Sequence, residues 1–330
     1  MSTTFDPSFI WAALILIGVT IYIITDGFDL GIGILLPFLK DEAEQDQFVD
    51  SVAPVWDGNE TWLVLGGAAL MGAFPLAYAV ILEAFTIPVV IMLFALILRG
   101  VAFEFRVHSN HKLLWTRAFI IGSWVASFMQ GAMAGAFLQG FDMDAQKFVG
   151  TDMDWFTPFS VLTGFGLVIA FALIGNYWGM MKCQTSIRNR LAKLSQPILI
   201  ALIIALALIA ILMRYSSNIS YDLSNGRKII IAACFILILV IAIILFAAKI
   251  KDMTKFLLTL GIVCLGMIGF ITMFFPYIIP PSLTLVDAAS SGASQVFSLV
   301  GTLIMLPIIL LYLSWTYYVF RGKVSSEVHY

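Results

Sequence analysis

The 330-residue sequence predicts an all-α integral membrane protein, and three of its properties lead to that fold class. Apolar residues make up 61% of the chain and charged residues only 12%, whereas about a quarter of a soluble domain is charged. The mean hydropathy is +1.00. Apolar runs of about 20 residues, the length that crosses a bilayer as a helix, recur along the whole chain. Helices are expected because backbone groups at bilayer depth must bond within their own segment.

Nine runs are long and apolar enough to predict membrane helices. They lie at residues 8–37, 58–78, 80–100, 117–140, 156–181, 196–214, 228–249, 256–279 and 295–320. Phe74-Pro75 is the only clear break between the second and the third. The first run lacks a positive flank and a small-residue cleavage pattern, so we expect a retained helix rather than a signal peptide.

Polar residues that could lie at membrane depth are concentrated between Asp26 and Arg106. The chain is therefore predicted to be one polytopic membrane domain, residues 1–330. Within it, residues 1–140 carry the functional polar groups and residues 156–320 serve mainly as scaffold. The net charge of −2 gives no reason to expect a nucleic-acid partner.

The Lys and Arg residues predict the orientation in the membrane. If nine helices cross, four basic clusters fall on one side, at residues 99–117, 182–193, 249–255 and 321–323. Basic loops face the cytoplasm, which places the N-terminus outside and the C-terminus inside. The acidic loop 140–155 then lies outside as expected. The acidic segment 40–50 lies inside, in mild conflict with the others.

Two carboxylates near the end of the first helix are candidates for a functional site. Asp26 and Asp29 are three residues apart and share one helical face. A carboxylate inside a membrane costs several kcal/mol unless it is paired or hydrated, so the pair suggests proton handling or contact with a partner's cation. The alternative is that both lie wet at the interface. Gly27 and Gly31 have the spacing that lets another helix approach closely.

A polar and aromatic cluster begins the second predicted helix. Asp57 and Glu60 have capping-box spacing, so Asp57 could simply cap this helix. A cap does not explain Trp56, Asn59 and Trp62 beside it. Such a cluster at a cytoplasmic helix start would suit the mouth of a proton path, and the two interpretations are compatible because a helix N-terminus also stabilises a carboxylate.

The remaining charged groups predict less. Arg99 is expected to extend to the interface and Glu104 to pair locally, while Glu83 near the outer end of the third helix has no explanation. The proline-rich segment 276–291 ends a helix and caps the next, and we assign it no chemistry.

Histidine is scarce, and no predicted span contains one of the three residues, His108, His111 and His329. A membrane haem usually takes a His or Met ligand from a buried helix. We therefore expect no haem bound through this chain's histidines, and if the protein works in electron transfer, another subunit should hold the cofactors. The three cysteines, Cys183, Cys234 and Cys264, are far apart, which gives no disulfide framework and no metal site to predict.

Five segments carry a family resemblance. They are residues 25–33, 53–63, Phe74-Pro75, 99–106 and 282–289. In order and spacing they resemble subunit II of cytochrome bd-type quinol oxidases across nearly the whole chain. The Asp-Gly-Phe-Asp and Trp-Asp-Gly-Asn blocks are specific together, although neither would suffice alone.

The resemblance implies a two-subunit enzyme of the bacterial cytoplasmic membrane that reduces oxygen to water with electrons from quinol. Haem b558, haem b595 and haem d, together with the quinol-oxidising loop, would belong to subunit I. That subunit is the main partner implied, beside a small single-helix subunit in some complexes, membrane lipids and quinone. The implied fold has two four-helix bundles and one peripheral helix, which agrees with nine spans.

The resemblance also suggests roles for single residues. Asp57 matches the acid at the cytoplasmic mouth of an inter-subunit proton path, and Trp62 matches a tryptophan at the entrance of an oxygen channel. Asp26 and Asp29 match the acids of the first-helix motif. With Trp56 and Glu60 these acids make up the expected proton pathway, listed along the chain as Asp26, Asp29, Trp56, Asp57 and Glu60.

Two positions depart from the family pattern. Glu60-Thr61 stands where some members, including the cyanide-insensitive branch, have Gln-Val, so Glu60 would be an added acid. Val286 stands where many members have Trp, which leaves the role of that loop open. A proton-coupled secondary transporter is the alternative function, although its Pro and Gly breaks should recur in matching halves, and here they do not. A third hypothesis for the function is a purely structural anchor.

Overall fold

Eleven α-helices and two short antiparallel hairpins make up this protein, in a computed structural model that describes residues 6–144, 146–215 and 224–324. The helices are α1 (Pro7–Leu35), α2 (Glu42–Asp50), α3 (Trp56–Ala73), α4 (Pro75–Ala84), α5 (Thr86–His108), α6 (Lys112–Gln139), α7 (Pro158–Lys182), α8 (Thr185–Tyr215), α9 (Asn225–Ala247), α10 (Asp252–Phe274) and α11 (Gly292–Val319). The hairpins pair β1 (Met143–Asp144) with β2 (Lys147–Phe148) and β3 (Tyr277–Ile279) with β4 (Leu283–Thr284).

The predicted all-α membrane fold is confirmed. In the described part of the chain, α1 and the helices α5 to α11 are long and apolar enough to cross a membrane. The second predicted span, 58–78, is divided, because α3 ends at Ala73 and α4 begins at Pro75. A residue before proline is kept out of the helical region, and Phe74 has φ −135° and ψ 64°. The third predicted span also begins too early, since α5 starts only at Thr86.

Close packing joins α1 to α7, as the small residues of α1 predict. A Cβ atom added at Gly31 would lie 2.0 Å from the carbonyl oxygen of Phe171, and one at Gly175 would lie 2.6 Å from the carbonyl carbon of Gly31. Gly27 is similarly close to the ring of Phe171, at 2.9 Å. Helix α1 also packs against α3 and α6, so it lies at the centre of the first half of the chain.

Helix α11 lies at the periphery and is anchored at its start. Gln295 is the one buried residue of this helix. Its side-chain amide donates to the carbonyl of Ala73 at 3.0 Å, and its own carbonyl accepts from the indole of Trp11 at 3.1 Å. These bonds connect the start of α11 to the end of α3 and the beginning of α1.

The acidic segment 40–50 is neutralised by basic residues at the same end of the molecule, which we call the α2 end. Asp46 lies 2.6 Å from both Arg106 and Lys112, and Glu44 lies 3.1 Å from Arg190. Local ion pairing therefore gives a physical reason why an acidic segment can share one side with the basic clusters.

Candidate functional site

A fully buried arginine connects α5 to α1 and α3. Arg99 has 0% exposure, and its two terminal nitrogens lie 2.7 Å from Asp26 and 2.6 Å from Glu60. The expectation that Arg99 extends to the interface is thus wrong. Helix α6 approaches closely behind it, since a Cβ atom at Gly122 would be only 3.2 Å from that of Arg99. The side chain is held towards the two carboxylates, whose pairing offsets the cost of its burial.

A second hydrogen-bonded chain joins α1 to the peripheral helix. The amide of Asn59 donates to Asp29 Oδ2 at 2.8 Å, and the hydroxyl of Tyr317 donates to Asn59 Oδ1 at 2.6 Å. Asp29 and Asn59 are both fully buried. Sequence reasoning missed Tyr317 because it assigned the later helices to scaffold. Tyrosine is common near the ends of membrane helices, so Tyr317 did not stand out in the sequence as a functional residue.

The buried acids outnumber their counter-charge. Arg99 is bonded to Asp26 and Glu60, and Asp29, which is bonded to Asn59, shares a face of α1 with Asp26, so the cluster holds three carboxylates and one guanidinium. One oxygen each of Asp26 and Asp29 is buried with no hydrogen-bond partner in the described structure. A buried, uncompensated negative charge is costly, and taking up a proton removes it. The arrangement can therefore hold a proton as well as an ion pair.

The ring of Trp56 lies against Arg99 and packs along α5. The ring lies 5.9 Å from Arg99 Cζ, within range of a cation–π contact, and stacks on Phe103 at 5.0 Å. A Cβ atom at Gly100 would touch the same ring at 3.4 Å, so the absence of a side chain there lets the indole lie against α5. Trp56 is thereby part of the cluster rather than only an interfacial residue.

Asp57 lies outside this buried network. It is exposed in the first turn of α3, where its carbonyl accepts a hydrogen bond from Thr61 at 2.9 Å. The interpretation of Asp57 as a helix cap is wrong, because Val55 occupies the N-cap and no side chain caps the helix. Glu60 does not complete a capping box either, since its carboxylate binds Arg99 instead. One helical turn separates Asp57 from Glu60, so an exposed acid lies beside a partly buried one.

Trp62 is buried in the contact between α3 and α1. Only 3% of it is exposed, and a Cβ atom at Gly18 would lie 3.8 Å from its ring. The exposed carboxylates Glu83 and Glu104 lie apart from the cluster, on α4 and α5. Glu104 therefore shows no local ion pair in the described structure, contrary to expectation.

The described histidines do not fit haem binding. His108 and His111 are exposed at the turn between α5 and α6, and His329 lies outside the described residues. Within residues 6–144, 146–215 and 224–324, no group of three or more His, Cys, Asp or Glu side chains could hold a metal ion. Cys183 is fully buried between α7 and α8, and burial raises the pKa of its thiol to about 12.

Comparison with known proteins decides the family. The profile of the cytochrome bd terminal oxidase subunit II family matches residues 7–320. Subunit 2 of the cytochrome bd ubiquinol oxidase of Bacillus subtilis is 31% identical over 99% of this chain and 98% of its own length. The chain belongs to the cytochrome bd subunit II family. It is thus a component of an oxidoreductase complex and a multi-pass protein of the bacterial membrane.

Two further comparisons support the assignment. Subunit 2 of cytochrome bd-I ubiquinol oxidase of Escherichia coli K12 is 26% identical, over 97% of this chain and 95% of its own. A chain of the bd oxidase structure from Geobacillus thermodenitrificans superposes with a TM-score of 0.73, covering 96% of this chain and 99% of its own. At 17% sequence identity the latter match shows a shared fold alone.

Proposed function

We propose that this chain is the haem-free subunit II of a respiratory quinol oxidase and that its buried acids carry protons for oxygen reduction. Quinol oxidation and the reduction of oxygen to water would occur at haem b558, haem b595 and haem d of subunit I. The observation that carries the proposal is the cluster of Asp26, Asp29 and Glu60 around Arg99, beside the exposed Asp57. Family membership supplies the oxidase, and the cluster supplies the proton chemistry.

The proposed path begins at the α2 end. Asp57 collects protons from water at the surface, and Glu60, one turn further along α3, is the next acceptor. Glu60 is suited to this step because 26% of its side chain remains exposed. Asp26 and Asp29 form the inner part of the path, and Arg99 reduces the cost of keeping them charged. Trp56 limits the access of bulk water to that inner part.

The α2 end faces the cytoplasm in this proposal, because the basic clusters lie there, so the N-terminus is outside and the C-terminus inside. Subunit I is the main partner, with a small single-helix subunit, lipids and quinone as further ones. Trp62 is the proposed entrance of an oxygen route. An apolar cavity of about 640 Å³ among α1, α3, α5, α6 and α10 supports that route, since Val19 of its lining adjoins the Trp62 contact at Gly18.

The variant Asp57→Asn in the assembled complex tests the mouth of the path. It keeps the shape of the side chain but removes its charge, so we expect slower proton uptake and slower quinol-dependent oxygen consumption with the haem spectrum intact. Glu104→Gln is the matched control, because Glu104 is also an exposed carboxylate that lies away from the cluster. An unchanged rate with haem retained would refute the proton role of Asp57, and loss of haem would point to assembly instead.

The transporter alternative gains no specific support from the described residues. Purification separates the two functions, because an oxidase subunit copurifies with a haem-bearing partner whereas a transporter is stable alone. If the chain is only a structural anchor, the Asp57→Asn variant should leave the rate of oxygen consumption unchanged.

A further inference from the structure

A polar cleft opens at the α2 end beside the buried acids. It lies between α2, α7 and the last turn of α11, and its volume is about 160 Å³. A water molecule occupies about 30 Å³ in the liquid, so the cleft has room for about five. Its lining includes the charged side chains of Asp50, Lys182 and Lys323, together with Tyr317. Charged walls favour water over lipid in this space.

The cleft is built by an anchored chain end. The ammonium group of Lys182 donates to the carbonyls of Phe320 and Gly322, at 2.5 and 3.4 Å. The backbone of Val324 bonds to the carbonyl of Lys182 at 2.9 Å and accepts from the Gln47 side chain at 3.1 Å. These bonds fix the end of α11 against α7 and α2, which sets the position of Tyr317 one turn earlier.

Only one side chain separates the cleft from a buried carboxylate. Tyr317 lines the cleft and donates to Asn59, which in turn donates to Asp29. Asp29 has 0% exposure, and its Oδ1 atom has no hydrogen-bond partner in the described structure. A polar connection thus leads from the cleft to the Asp29 carboxylate, whose other oxygen, Oδ1, is the one that can accept a proton.

The route from Asp57 reaches the same carboxylate less directly. Between Glu60 and Asp26 lies Arg99, which is bonded to both. A guanidinium does not lose its proton in proteins, so a proton from Glu60 has to pass beside Arg99 rather than through it. In the described structure, neither Tyr317 nor Asn59 is hydrogen-bonded to a cationic side chain.

We propose that this cleft is a second water entrance for protons, leading to Asp29, and that Tyr317 is its positioning residue. The inference rests on the proposed function, in which the buried acids carry protons. The Tyr317 hydroxyl accepts a hydrogen bond from the last cleft water while it holds Asn59 in place. When the hydrogen bond from Tyr317 to Asn59 breaks, the Asn59 amide turns aside and admits that water. A hydronium ion then breaks one O–H bond, Asp29 Oδ1 forms one, and a neutral water molecule remains.

Blocking the cleft tests this entrance in the intact complex. Val319 lines the cleft and is 49% exposed, so Val319→Cys should fold and react with a bulky, water-soluble maleimide. Proton uptake is followed with a pH indicator after an oxygen pulse to the reduced complex. We expect labelling to slow uptake at least threefold. The control is Tyr318→Cys, because Tyr318 is the next residue and is exposed but does not line the cleft. The parent complex treated with the same reagent is a second control.

The variant Tyr317→Phe tests the hydroxyl itself. We expect uptake to slow at least threefold with the haem spectrum retained, whereas Tyr318→Phe leaves it unchanged. A merely structural role would shift stability without slowing uptake in intact complexes. The cleft is refuted as a proton entrance if labelled Val319→Cys takes up protons as fast as the unlabelled variant. It is also refuted if Tyr317→Phe takes up protons at the parent rate.

The two proposals fail separately in these experiments. If Asp57→Asn slows uptake and labelling of Val319→Cys does not, the cleft is refuted and the mouth at Asp57 stands. If labelling slows uptake and Asp57→Asn does not, the cleft stands and the Asp57 mouth is refuted. If neither slows uptake, both proposals are wrong.

Discussion

Removing Arg99 should destabilise the protein more than any other single charge in the described structure. In Arg99→Met, Asp26 and Glu60 lose contacts of 2.7 and 2.6 Å to a group with 0% exposure. Breaking a buried ion pair typically costs about 3–5 kcal/mol, because the remaining charge is left uncompensated. A folded domain has only about 5–15 kcal/mol of stability in total, so this variant should fold poorly or lose haem from the complex.

Neutralising the acids should reverse most of that loss. In the triple variant Arg99→Met, Asp26→Asn and Glu60→Gln, both carboxylates that bind Arg99 are neutral, so neither is left as an unpaired charge. We expect at least half of the lost stability to return, because the penalty belongs to the unpaired charges and not to the absent arginine. Arg117→Met is the control, since Arg117 is exposed on α6 and its loss should change stability by less than about 0.5 kcal/mol.

Thermal unfolding of the purified complex, together with its haem absorbance, measures these differences. At about 2 °C per kcal/mol, which is the low end expected for larger domains, Arg99→Met should lower the midpoint by about 6–10 °C. A midpoint within about 1 °C of the parent would refute the buried ion-pair cluster. A triple variant as unstable as the single one would refute the charge explanation for it.

Two further predictions concern packing and chemical reactivity. Gly31→Ala places a methyl group 2.0 Å from the backbone oxygen of Phe171, so we expect thermal unfolding to show a loss of stability of about 1–3 kcal/mol. The control is Gly72→Ala, which has open space around it and should lose no stability. Equal stability of the two variants would contradict the close helix contact. Cys183 is buried and its pKa is raised to about 12, so it remains a thiol at pH 8. We expect it to resist maleimide in the folded complex and to react after denaturation, which mass spectrometry would show. Labelling of Cys183 in the folded complex would contradict its burial.

Hydropathy and small-residue spacing were enough to predict the class of fold and one of its contacts. Apolar runs located α1 and the helices α6 to α11 because the bilayer sets their length, whereas the second and third runs did not match the bounds of α3, α4 and α5. The spacing of Gly27 and Gly31 predicted close packing on α1, and both residues lie against Phe171 of α7. These properties are local, so a single chain segment contains the information.

The wrong predictions concern side chains whose partners lie far away in sequence. Arg99 was expected at the interface because it follows an apolar run, yet its partner Asp26 is 73 residues earlier. Tyr317 binds a residue 258 positions away, and nothing near it in sequence indicates that. The capping box at Asp57 and Glu60 had suitable spacing, but pairing of Glu60 with a buried cation prevailed over a cap. Tertiary electrostatics decided these positions.

Proton uptake in Asp29→Asn most directly tests the claim that the buried acids carry protons. Asp29 touches Asn59 and no cation, so the isosteric change removes the proton site without leaving an unpaired charge. Uptake is followed with a pH indicator after an oxygen pulse to the reduced complex with its haem spectrum intact. We expect uptake at least tenfold slower than in the parent complex. Uptake at the parent rate would contradict it.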